Sequence, residues 1–138
     1  MPVPLHSSKR QERRFNQSEL IARAALRHVP SEYELASPVL VRHRQTRSQV
    51  GLDREARIEN MRDAFRVIDA ARIAGRTVIV VDDVMTTGAT VSECARVLKR
   101  AGAAKVYAAT VAHTLTAPLT EYSDNQGEEA EALELASV

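Results

Sequence analysis

Along the chain the apolar positions change period repeatedly, and strands alternate with helices. The clearest run is Val78-Ile79-Val80-Val81, followed by Asp82-Asp83 and a hydroxyl-rich turn. Four consecutive β-branched residues read as a strand over 77–81 buried on both faces, as in a parallel sheet covered by helices. From about Ala89 to Ala101 the apolar residues Val91, Cys94, Ala95, Leu98 and Ala101 recur every three or four positions, the period of an amphipathic helix. Lys99 and Arg100 in its last turn, with Gly102 beyond, mark the helix end. Upstream, residues 1–5 read as a short strand and 6–14 as a polar, basic loop. Asn16 opens a helix to about Val29, with Glu19 completing a capping box and Phe15 and Leu20 in the staple positions; Pro30 ends it. Pro38–Val41 and Ala64–Ile68 read as strands. Between them Asp53 caps a short helix over Arg54–Met61, within an arginine-rich stretch. Gly75 turns the chain into the strand at 77, and Val106–Ala112 is the last strand. Beyond Thr114 the periodicity is lost among Pro118, Asp124-Asn125-Gln126-Gly127 and Glu128-Glu129. This predicts an α/β domain over 1–112 and a disordered acidic tail over 113–138.

Composition narrows the function classes. The 138 residues suffice for one small core, and 44% apolar with 27% charged residues is ordinary for a soluble protein. No apolar stretch approaches the ~20 residues of a membrane span, so membrane insertion is not expected. Met1-Pro2-Val3-Pro4 lacks a secretory layout, which favours the cytoplasm. The single cysteine, Cys94, excludes an internal disulfide and falls on the buried side of its helix. Charge is uneven: residues 1–112 carry 19 basic and 12 acidic side chains, a net of +7, whereas 113–138 carry six acids and no Lys or Arg. A basic folded part suits a ligand with several phosphates. With aromatics at 4% and no stacking series, nucleic acid is not a required partner.

The chemistry concentrates at 82–90. Asp82 and Asp83 stand at the carboxyl end of the apolar strand, where ligands of open α/β sheets collect. Two adjacent carboxylates there are costly unless a diol or a cation partners them. Gly88 allows close backbone approach, Thr86, Thr87 and Thr90 offer hydroxyls, and the first amides of the next helix point at the same spot. An anion belongs in that turn, and a sugar phosphate satisfies turn and acids together. Val-Asp-Asp strand ends also occur in nucleotide-binding and receiver-like domains; the Thr-Thr-Gly-Ala-Thr that follows favours the sugar phosphate.

At this point residues 78–90 resemble the signature of the type I phosphoribosyltransferases, which bind 5-phosphoribosyl-1-pyrophosphate (PRPP); all thirteen positions fit that pattern. Val3-Pro4-Leu5-His6, Phe15-Asn16-Gln17, Leu40–Thr46, Gln49–Leu52, Arg54, Asn60 and Ala64-Phe65 further resemble the ComF group of that superfamily, whose members are linked to natural competence. The resemblance implies a three-layer, mostly parallel sheet flanked by helices. Asp82 and Asp83 would hold the ribose hydroxyls, directly or through Mg²⁺, and Thr86, Thr87, Gly88, Ala89 and Thr90 would wrap the 5′-phosphate. The loop Leu5–Lys9 takes the position of the pyrophosphate loop, with Lys9 as its cation and His6 nearby. The segment 43–54 matches a closing loop from which Arg44 and Arg47 would reach the pyrophosphate.

Three departures accompany the resemblance. Residues ahead of the first core strand, often a zinc module, are absent here, so the hood is expected to be incomplete or missing. Arg14 stands where glycine is frequent, and the acidic tail has no counterpart. Thr86 occupies a position where purine-salvage relatives often carry an aspartate, which disfavours purine salvage and leaves no general base to name. The implied activity is transfer of the phosphoribosyl group to a nitrogen nucleophile with release of pyrophosphate. The alternative is a noncatalytic PRPP or nucleotide sensor, or a competence accessory protein. A protein of the competence machinery or a second copy of the chain are the expected macromolecular partners.

Overall fold

The computed structural model describes residues 1–5, 15–46 and 51–114. In chain order the elements are α1 (Gln17–Ala25), β1 (Leu40–Arg42), α2 (Arg54–Met61), β2 (Phe65–Val67), a 3₁₀ turn at Ala70–Arg72, β3 (Thr77–Met85), α3 (Ala89–Arg100) and β4 (Lys105–His113). His6, Lys9, Arg47 and the tail from 115 onward lie outside the described residues.

β3 and β4 pair in parallel, with Val78 opposite Val106, Val80 opposite Ala108 and Asp82 opposite Thr110. The N-terminal segment lines the other edge of β3 in the same direction, bridged at Pro2 and Val81. Val81 N–H donates to the Met1 carbonyl (2.8 Å) and Val3 N–H to the Val81 carbonyl (2.9 Å). The expected strand over 1–5 is thus a short bridged segment, because Pro2 and Pro4 have no N–H to extend the ladder. The Met1 amine is tucked into it, donating to the Ile79 carbonyl at 2.7 Å.

β1 and β2 form a separate antiparallel pair, Leu40 opposite Val67 and Arg42 opposite Phe65, with α2 in the excursion between them. Beneath both ladders lies one core, in which Val39, Met61, Ile73, Val80, Cys94 and Leu98 are essentially inaccessible to solvent. Burial within β3 is unequal: Val78 and Val80 are buried, Ile79 and Val81 half-buried. Only one face is therefore fully covered, contrary to the two-faced burial expected from four β-branched residues. β4 remains open on much of its length, and Val111 is 70% exposed.

The helix ends follow the sequence to different degrees. Asp53 caps α2 as expected, accepting from Ala56 N–H at 2.7 Å. α3 closes with a Schellman arrangement: Gly102 is left-handed (φ +98°), its N–H donates to Lys99, and Ala103 N–H donates to Leu98. At α1, Asn16 accepts from Ser18 N–H, and its amide also donates to the Val3 carbonyl (2.9 Å), tying the helix start to the N-terminal segment. The rest of the expected α1 start does not form. Glu19 turns to Arg23 (2.7 Å), Phe15 and Leu20 are both exposed, and the helix stops at Ala25 rather than near Val29.

Candidate functional site

Both aspartates lie inside β3, which continues past them to Met85 instead of ending at 81. Asp82 is half-buried; its Oδ1 accepts from Ser18 Oγ on α1 (3.0 Å) and from Asp83 N–H (3.0 Å). Asp83 Oδ1 accepts from Val84 N–H at 2.8 Å. Burial pushes the Asp82 carboxyl up from its usual range; the Ser18 and Asp83 N–H hydrogen bonds oppose this, and the neighbouring Asp83 charge adds to it. An ionised pair here is held at some cost, which a cation or a diol would relieve.

The strand passes through Thr86 and Thr87 into Gly88, the N-cap of α3, with φ +75°. A Cβ at Gly88 would meet Met85 Sδ and Ser92 Oγ at an ordinary 3.9 Å, so glycine is required here for its left-handed backbone rather than for space. Gly88, having no side chain, makes no capping hydrogen bond to α3. Thr87 Oγ1 is buried and has no hydrogen-bond partner among the described residues. A glycine turn at a helix N-terminus with an orphaned hydroxyl beside it fits an anion. Asp82, Thr86, Thr87, Gly88, Ala89 and Thr90 line one small depression, so the structure brings these sequence-predicted residues together.

Two arginines that sequence reasoning did not select face this region. Arg57 on α2 donates from Nη1 to Thr86 Oγ1 (2.9 Å) and from Nε to the Leu52 carbonyl (2.8 Å). Arg42, the last residue of β1, lies over the Phe65 ring (5.6 Å), and its Nη2 bonds Thr46 Oγ1 and Met61 Sδ. Its Nε is buried without a hydrogen-bond partner among the described residues. Burial lowers the Arg42 pKa; the Arg44 charge adds to that shift and the Asp82 charge opposes it. No sequence signal within the strand–turn motif could have found either residue, since both arrive from elements far away in the chain.

Arg44 is engaged elsewhere. Its Nη2 donates to the carbonyls of Asn60 (2.9 Å) and Arg62 (2.6 Å), bracing the end of α2. Beyond Thr87 and Ala89 lies a larger cleft of about 550 Å³ that also includes Arg62, Arg96 and Arg100. Most of its charge is already matched. The buried Glu93 accepts from Arg96 Nε (2.7 Å), Arg96 Nη2 (2.6 Å) and Asp63 N–H (2.8 Å), while Arg96 also reaches Asp63 Oδ1 (2.7 Å). This cluster holds the turn after α2, where Asp63 is left-handed (φ +52°), against α3. Cys94 is fully buried, and burial followed by the charges of Asp82 and Glu93 drives its thiol far up, so it is not a nucleophile.

Residues 17–131 match the phosphoribosyl transferase domain family. The chain belongs to that family. Within this phosphoribosyltransferase family its relatives are of the ComF-like kind. It is 37% identical over 113 residues to the DNA utilization protein YhgH of Escherichia coli K12, covering 82% of this chain and 48% of that protein. To the protein of the same name in Salmonella typhi it is 36% identical over the same shares. To Competence protein F of Haemophilus influenzae it is 29% identical over 107 residues, 77% of this chain and 46% of that protein. The chain spans about half the length of the curated relatives it matches. No solved structure matches it. Among the described residues, no helix is long and apolar enough to cross a membrane.

Proposed function

We propose that residues 82–90 bind the ribose 5-phosphate part of PRPP and that the chain transfers the phosphoribosyl group to a nitrogen nucleophile. The observation that carries this reading is the buried Thr87 hydroxyl, without a partner among the described residues, beside the left-handed Gly88 at the start of α3 and in one depression with Asp82. Asp82 and Asp83 would take the ribose hydroxyls, directly or through Mg²⁺, and the amides and hydroxyls of Thr86 to Thr90 the phosphate. Among the described residues no third His, Cys, Asp or Glu joins the pair. Mg²⁺ held there would therefore draw most of its oxygens from the ligand and water, as is usual for this ion. When bound, the ion would neutralise charge on the leaving pyrophosphate. In the transfer, the nitrogen forms a bond to C1 of the ribose and the C1–oxygen bond breaks. Pyrophosphate leaves with the electron pair, and the nitrogen's proton passes to solvent.

The names of the relatives support a role connected with DNA utilization or competence, through a protein partner or a second copy of the chain. A noncatalytic PRPP sensor is the second reading, and one observation favours it. Thr86 offers only a neutral hydroxyl, tied to Arg57 by a hydrogen bond, where a nucleophile would need a base. Pyrophosphate release from PRPP, measured with a panel of bases and amines, separates the two. Release with at least one acceptor supports the transferase. Thermal stabilisation by PRPP with no release across the panel supports the sensor, and neither effect contradicts both.

A further inference from the structure

We propose that Arg57 sets the charge selectivity of this turn, making it prefer a dianionic phosphate to a singly charged ester. The inference rests on the reading that the turn holds a phosphate. Residues 82–90 contain two aspartates and no lysine or arginine. A phosphate beside two carboxylates meets repulsion that the fixed partial charges of backbone amides offset only in part. Positive charge has to come from another element, and Arg57 brings a guanidinium into hydrogen bonding with the turn itself, at Thr86 Oγ1.

The polarity of that contact matters. A guanidinium in a protein only donates, so the Thr86 oxygen is fixed as the acceptor and its own proton is directed elsewhere. Thr86 thereby faces a ligand as a donor, the role an anionic oxygen requires. The second hydrogen bond, Nε to the Leu52 carbonyl, fixes the plane of the guanidinium before any ligand arrives, and the side chain is half-buried. Arg42 is engaged with Met61, Thr46 and the Phe65 ring. Arg96 is matched by Glu93 and Asp63. Among the described residues, Arg57 is thus a cation hydrogen-bonded to the turn itself, reached from α2 across 29 residues of sequence.

Calorimetry at constant neutral pH, comparing ribose 5-phosphate with its singly charged isostere ribose 5-sulfate, reads this selectivity directly. The wild type is expected to favour the phosphate by about 10-fold or more, the scale of one charge-assisted hydrogen bond. In Arg57→Met that preference shrinks to less than about threefold, with phosphate affinity falling far more than sulfate affinity. Arg57→Lys keeps the charge and loses the planar fork, so it retains a preference at weaker overall affinity. Equal losses for both ligands in Arg57→Met would mean that Arg57 only props up the turn, and would overturn the inference, as would unchanged preference. Failure of the wild type to bind either ester would instead remove the phosphate reading on which the inference stands.

Discussion

Replacing Asp82 and Asp83 together by asparagine is expected to lower Mg²⁺-dependent PRPP affinity about 100-fold or more while the protein stays folded. Each carboxylate offers a ligand a charged acceptor, and hydrogen bonds to charged groups are worth about 1.5–3 kcal/mol. Two such losses compound to about 100-fold or more. Stability moves the other way. The folded state holds Asp82 above its ordinary pKa, mainly through burial, so ionisation of Asp82 opposes folding at neutral pH. For an acid shifted upward, the folded state gains most when the carboxyl is protonated, and that gain is lost as pH rises through the raised value. Asparagine removes the charge and keeps an acceptor for Ser18, so the melting temperature should hold or rise. Calorimetry with and without Mg²⁺, paired with thermal denaturation, checks both halves. Undiminished affinity would contradict the proposed role of the pair, and a collapse of the fold would contradict the account of its cost.

The second large effect concerns the α-amine of a chain that starts at Met1. In the folded chain the Met1 amine is buried against the Ile79 carbonyl, and burial lowers its pKa from 8.0 to about 6. The unfolded chain therefore binds the more protons between those values, and stability rises with pH across the window. A two-unit shift corresponds to about 2 kcal/mol gained from pH 6 to pH 8. The comparison that isolates this group is between the free and the acetylated chain, since the acetyl amide cannot titrate but can still donate to Ile79. Urea denaturation at pH 6, 7 and 8 should show the two stabilities converging as pH rises. Parallel curves would show that the amine is as well solvated in the folded chain as in the unfolded one.

Elements governed by local chemistry were legible in the sequence. Gly88 was read for close approach and serves instead through its left-handed backbone, whereas the Asp53 cap and the helix end at Gly102 each follow from a few neighbouring residues. So does the central strand–turn–helix, because an apolar run and a 3.6-residue period specify it without help from elsewhere. What failed was competition between partners. Glu19 had a backbone N–H and an arginine four residues away within reach, and the ion pair with Arg23 won. Glu93, a charged residue that no sequence pattern singled out, is buried with Arg96 and the Asp63 N–H sharing its carboxylate.

The candidate site shows the same division. Its acids and threonines are contiguous in sequence and were readable as a unit. Arg57 enters through the docking of α2, which no local pattern encodes, whereas Arg44 points to the carbonyls ending its neighbouring helix. The antiparallel pairing of β1 with β2 was hidden for a similar reason, since register between distant short strands depends on packing.

The central claim, that the end of β3 and the turn into α3 grip a phosphorylated ribose, is tested most directly by titrating PRPP with Mg²⁺ into the wild-type protein in a calorimeter. The account predicts saturable heat at one site per chain, competed away by ribose 5-phosphate. A well-folded preparation that returns no heat above dilution would contradict it.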